Sequence, residues 1–141
     1  MVALSGRCLC GQVSFQASGQ IKRVSACYCG QCRAQNGGGP FYGVELQGTL
    51  HIENEQGPLR WFESSNKAKR GFCSRCGSSM FWQANDDPAF FDVSMGVLDS
   101  VENLSLDAHI FVDSCPPYMS VPSSAEHLTE AQVLARPLNE S

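Results

Sequence analysis

The residues of this chain most able to do chemistry are its eight cysteines, and their spacing sorts them into three clusters and one outlier. The clusters are Cys8-Leu9-Cys10-Gly11, Cys27-Tyr28-Cys29-Gly30-Gln31-Cys32 and Cys73-Ser74-Arg75-Cys76-Gly77, and Cys115 stands apart. The opening run from Met1 to Arg7 has no basic stretch followed by an apolar block, so a cytoplasmic, reducing setting is expected. Clustered thiols in that setting point to metal or to thiol chemistry rather than to disulfides.

C-x-x-C-G is a zinc knuckle by spacing. The chain turns so that both sulfurs aim at one point, and the glycine admits a left-handed backbone. A structural zinc takes four ligands, so Cys73 and Cys76 need a second pair. Cys8 and Cys10, two apart, face one side if the chain there is extended. The four together predict a closed structural site. Cys27, Cys29 and Cys32 supply three thiolates with no fourth ligand adjacent, and three protein ligands with one open position mark a catalytic zinc. The competing reading is a second closed site completed by His51, His109, His127 or Cys115. Cys115 also reads as a small buried hydrophobe. Two zinc ions per chain are expected.

A zinc held by three thiolates carries a net negative formal charge, whereas three neutral histidines leave it doubly positive. The thiolate site is the poorer generator of hydroxide. It suits a soft exchangeable ligand, and an incoming thiol gives up its proton there. The expected chemistry is a positioned sulfur nucleophile attacking an electrophilic carbon such as an aldehyde. The loop Gly37-Gly38-Gly39-Pro40 offers backbone N–H groups to a carboxylate, or is a plain turn. Arg33, Lys67, Lys69, Arg70 and Arg75 offer basic contacts, or form an ordinary solvated face. Arg33, Gly38 and Arg70 are the candidate substrate contacts.

These groups need a scaffold, and the strand signals are short and frequent. Val13 and Phe15 alternate with polar neighbours, and Phe41–Leu46 and Leu50–Ile52 flank a turn expected at Gly48. Leu59–Phe62, Met80–Trp82, Phe90–Val93 and His109–Val112 follow. The pattern predicts an all-β, zinc-stabilised sandwich with at most short helices. One turn of helix is expected at Leu98–Leu104. A capping box at Ser123–Glu126 suggests a short C-terminal helix ended by Pro137, with a frayed tail as the alternative. The 141 residues suit one domain, with a core over about 5–120 and a tail over 121–141. No apolar run approaches the ~20 residues that span a bilayer. The net charge of −4 disfavours a partner bound through its phosphate backbone, so a nucleic-acid zinc ribbon is not expected.

Several runs resemble the glutathione-dependent formaldehyde-activating enzyme family. They are Gly6-Arg7-Cys8-Leu9-Cys10-Gly11-Gln12-Val13-Ser14-Phe15, Cys27-Tyr28-Cys29-Gly30-Gln31-Cys32-Arg33, Ser64-Ser65 through Ser78, and His109 through Ser114. Position 28 of that motif is usually His, and here it is Tyr. The resemblance implies a tent-like all-β zinc fold. It implies a carbon–sulfur lyase that joins glutathione and formaldehyde into S-hydroxymethylglutathione. Cys27, Cys29 and Cys32 would hold the catalytic zinc, and Cys8, Cys10, Cys73 and Cys76 the structural one. The alternative is a non-catalytic binding module on the same fold.

Overall fold

Alternation of apolar and polar residues at period two builds strands along most of the chain. In the computed structural model, which describes residues 1–122 and 126–136, there are nine. They are β1 (Val2–Arg7), β2 (Ser14–Cys27), β3 (Phe41–Ile52), β4 (Leu59–Glu63), β5 (Ala68–Cys73), β6 (Ser79–Ala84), β7 (Phe90–Ser94), β8 (Ala108–Ile110) and β9 (Glu126–Leu128). Two short helices join them, α1 (Gly30–Gln35) and α2 (Glu130–Leu134). The fold is all-β. No helix among the described residues is long and apolar enough to cross a membrane.

The strands hydrogen-bond in the order β4-β5-β6-β7-β3-β2-β8-β9, with β1 also paired to β2. The two longest strands are shared between neighbours. The first part of β2 pairs with β1, and its last three residues pair in parallel with β8. In β3, Gly43–Gln47 pairs with β7, and the following residues continue alone against β2. The sheet folds over at this handover. Phe15 on β2 and Phe81 on β6 lie three strands apart in the order, roughly 14 Å in a flat sheet. Their rings nevertheless meet edge to face with centroids 4.9 Å apart.

The crease sits where Gly19 faces Gly48. A Cβ on Gly19 would stand 2.2 Å from the Gln47 carbonyl oxygen, and one on Gly48 would stand 2.0 Å from that of Ser18. Gly48 is therefore not a turn: it lets two backbones touch inside one continuous strand. A bulge between Ile21 and Arg23 adds to the bend.

Period two then sorts the side chains. Val44, Leu46, Phe91 and Val93 are buried in the main core with Val13, Phe15, Met80 and Phe81. Glu45 and Asp92, one residue out of phase, face the other way. A second, smaller core joins Phe41, Ala108, Ile110, Leu128 and Val133 to Cys27 and Cys32.

Other expectations shift locally. The strand expected at His109–Val112 ends at Ile110, because Phe111 takes a left-handed backbone (φ 57°) and a 3-10 turn follows. Leu98–Leu104 closes a turn from Leu104 N–H to the Val101 carbonyl (3.1 Å). The capping box expected at Ser123–Glu126 falls largely on 123–125, outside the described residues, as does Pro137. Glu126 itself opens β9, and α2 is capped instead by Thr129 and Gln132, each bonding the other's backbone N–H.

Candidate metal centres and active site

Seven thiols gather in two places. The sulfurs of Cys8, Cys10, Cys73 and Cys76 lie within 4.8 Å of one another, and so do those of Cys27, Cys29 and Cys32. All eight cysteines are free.

Two turns present the set of four. β5 ends at Cys73, and the chain closes by Gly77 N–H to the Cys73 carbonyl (2.8 Å), with Gly77 left-handed (φ 81°). The first pair is not extended as expected. β1 stops at Arg7, and Cys8–Gly11 makes a matching turn, Gly11 N–H to the Cys8 carbonyl (3.0 Å), with Gly11 at φ 79°. Two knuckles thus face each other. The sulfurs of Cys8 and Cys10 are 3.6 Å apart, and those of Cys10 and Cys73 are 3.8 Å apart. A tetrahedron with Zn–S bonds of about 2.3 Å has edges of about 3.8 Å, so these residues fit zinc. A disulfide needs about 2.05 Å. Val13 N–H donates to the Cys8 sulfur (3.3 Å). The Ser78 hydroxyl beside Cys76 holds that thiol down to about 5.

The set of three is built on a strand end and a helix start. Cys27 is the last residue of β2, paired on one side with Phe41 and on the other with Ile110. Tyr28 N–H donates to the Ile110 carbonyl (3.0 Å). Cys29 caps α1, and its sulfur accepts from Cys32 N–H (3.3 Å). Hydrogen bonds from the Cys27 and Cys32 thiols, helped by Cys32 N–H and the Arg70 charge, hold Cys29 down to about 2. The same bonds to Cys29 and Cys32, with burial, drive Cys27 far above the ordinary thiol range. Packed together, one thiol ionises readily and its neighbours resist; a cation among them is what lets all three ionise.

No histidine or further cysteine among the described residues joins either set. His51 is exposed beside Glu53 (3.8 Å). The Cys115 thiol donates to the Met119 carbonyl (3.6 Å). Buried His109 meets the Tyr28 hydroxyl through Nδ1 (3.0 Å), and burial, then His127, lowers its proton affinity. Tyr28, where the motif usually has His, is thus a buried brace and does not face the sulfurs' open side.

Cys27, Cys29 and Cys32 line a cleft of about 1010 Å³; the set of four does not. Arg70 enters it from β5. Its buried guanidinium donates through Nη1 to the Cys32 sulfur (3.4 Å) and to Gln35 Oε1 (3.1 Å), and through Nε to Ser64 Oγ (3.3 Å). Of the other two candidate contacts, Arg33 donates to the Tyr28 carbonyl (3.1 Å) and Gly38 N–H donates to the Arg33 carbonyl (2.7 Å). Neither lines the cleft. Gly37 and Gly38, both at positive φ, end α1. Sequence reading missed Arg23, Glu45, Trp82 and Asp92, which also line the cleft; only strand register brings them there.

The difference in access sets an expected result. A mild chelator should strip about one metal per chain from the loaded protein quickly, through the cleft, and leave it folded. The closed set has no free position for the chelator to attack. Metal counting alongside circular dichroism checks this, and joint loss of all metal with unfolding would contradict it.

Strands folded around two cysteine clusters, one of four sulfurs away from the cleft and one of three opening into it, define an all-β protein with two sets of thiols able to hold metal. The chain belongs to the family described as glutathione-dependent formaldehyde-activating enzyme, whose model matches residues 3–114. It is similar to an uncharacterized lyase of Schizosaccharomyces pombe, 24% identical over 135 residues, covering 95% of this chain and 96% of the relative. It also resembles in fold a crystal structure of a Rhodobacter sphaeroides protein (TM-score 0.58, 21% identity), covering 70% of this chain and 91% of that one.

Proposed function

We propose that this protein is a zinc-dependent enzyme of the carbon–sulfur lyase type acting on a thiol adduct, with glutathione and formaldehyde as the pair it joins into S-hydroxymethylglutathione. The observation that carries this reading is the convergence of Cys27, Cys29 and Cys32 on a cleft with no fourth His or Cys ligand among the described residues. A zinc ion held by those sulfurs supplies one position that favours the deprotonated form of an incoming thiol. The chain does the rest. β2, paired on both sides, fixes where Cys27 points. Arg70 places a buried positive charge against Cys32 and offsets the excess negative charge of the sulfur cluster. Phe41, Ile110 and Val133 wall the cleft with apolar surface that keeps water from the aldehyde. In the reaction a C–S bond forms between the thiol sulfur and the carbonyl carbon, and the carbonyl oxygen ends with the proton the thiol gave up.

Cobalt-loaded protein tests this directly. Glutathione should intensify the sulfur-to-metal charge-transfer band as a fourth sulfur joins, and binding below the thiol's free pKa should release close to one proton. Cys29→Ala should lose both signals while the four-cysteine site keeps the fold. An unchanged cobalt spectrum on adding glutathione would rule out the glutathione reading. Activity is then measured as rate above the spontaneous combination of thiol and aldehyde.

A further inference from the structure

On the cleft floor, five strands contribute one residue each to a single row. Arg70 is the register partner of Trp82, Trp82 of Asp92, Asp92 of Glu45, and Glu45 of Arg23. All five line the cleft. Three of the four ionisable members have partners. Arg23 forks onto Glu45, with Nη2 to Oε1 at 2.9 Å and Nε to Oε2. Arg70 is held by Cys32, Gln35 and Ser64. Asp92 has none: its Oδ1 is shielded from solvent with no hydrogen-bond partner. An unpaired buried carboxyl oxygen costs free energy that a ligand can return.

The carboxyl also leans in a definite direction. Asp92 Oδ1 lies 2.0 Å from where a Cβ on Gly43 would stand, so the glycine makes room for it. Gly43 is two residues from Phe41, the partner of Cys27. The carboxyl has therefore left its own row and points along β3 towards the three sulfurs. From Gly43 to Cys27, two residues along and one strand across, is roughly 8 Å. Burial and the neighbouring Glu45 push Asp92 well above the usual carboxylate range, against the opposing pull of Arg23 and Arg70. A cation brought against this carboxyl would favour its charged form.

We propose that Asp92 is the anchor for the ammonium group of the thiol substrate, and that it selects thiols whose amine can reach away from the sulfur across the roughly 8 Å of backbone between Cys27 and Gly43. This rests on the reading that the sulfur enters at the Cys27–Cys29–Cys32 end. Free cysteine, with its amine only about three bonds from sulfur, falls short of that span, whereas the γ-linked amine of glutathione, about eight bonds away, covers it. The cleft is thus matched to a γ-glutamyl thiol, and Asp92 is a specificity-determining residue.

The test titrates cobalt-loaded protein with glutathione and with glutaryl-cysteinyl-glycine, which lacks only the amino group, following the charge-transfer band. Wild type should bind glutathione roughly tenfold or more tightly than the analogue, as a charge-assisted hydrogen bond supplies. In Asp92→Asn the preference should fall to near unity through weaker glutathione binding, with the analogue unaffected. Asp92→Ser should behave alike, and thermal melts confirm that both variants fold. If wild type binds both thiols equally, or if Asp92→Asn keeps the preference, the role of Asp92 is overturned while the open-site reading stands. If neither thiol alters the spectrum, both fall together.

Discussion

Cys76→Ser, made with zinc supplied, should melt far below wild type or fail to fold. With zinc bound, the four-cysteine set would clip the turn after β1 to the turn after β5, joining Cys10 to Cys73, 63 positions further along the chain. A structural zinc contributes on the order of 10 kcal/mol, and small domains have only about 5–15 kcal/mol in all. Ser in place of Cys76 keeps the shape but gives up a thiolate the site holds ready, since the Ser78 hydroxyl already favours its charged form. The loss is therefore comparable to the whole stability. Thermal denaturation with metal counting checks it: bound zinc should drop by about one per chain. A wild-type melting temperature in Cys76→Ser would remove this set from the role of structural clip.

The second large effect is expected at Arg23→Met, far from any cysteine cluster in purpose though on the same strand as Cys27. Glu45 has a side chain only 7% exposed, and Arg23 is the partner that compensates it. Removing the guanidinium leaves Glu45 uncompensated, with Asp92 directly opposite on β7. Breaking one side of a buried pair costs about 3–5 kcal/mol, whereas replacing both members with apolar groups of similar volume is often near neutral. Arg23→Met should accordingly shift the denaturation midpoint strongly, and Arg23→Met with Glu45→Leu should recover most of it. Equal loss in the single and double variants would show that the pair matters through its packing and not its charge.

What was legible in the sequence follows how local each signal is. The all-β class came from short aromatic and β-branched runs such as Phe90–Val93, broken by turn-forming residues, a signal carried within each segment. The gathering of cysteines into two sets was readable because C-x-x-C-G and C-x-C-x-x-C are closed by turns within a few residues. Cys8 and Cys10 reached their set by a route other than the one expected, a turn in place of a strand, since Gly11 works as Gly77 does. Gly48 misled for the opposite reason. Glycine marks both turns and close backbone approach, and only the facing Gly19, 29 positions away, decides between them. The row from Arg70 to Arg23 was invisible because its five members come from five strands, and register between distant strands is not written in any one segment. The expected cap lay on an earlier Ser run, Ser123 standing three residues before Glu126, whereas Thr129 stands three before Gln132 and is the cap that forms.

The long strand β2 has one more implication. It starts one residue after Val13, whose carbonyl accepts from Cys8 N–H, and it ends on Cys27. The two clusters are thus terminals of one backbone rail, and their separation is set by the strand, not by the loops. Chain length can be added at residues 53–58 or 99–107, outside the ladders, without moving one cluster relative to the other. A single residue inserted within β2 would do the reverse: every side chain beyond it would change face, and Cys27 would be turned away from its companions.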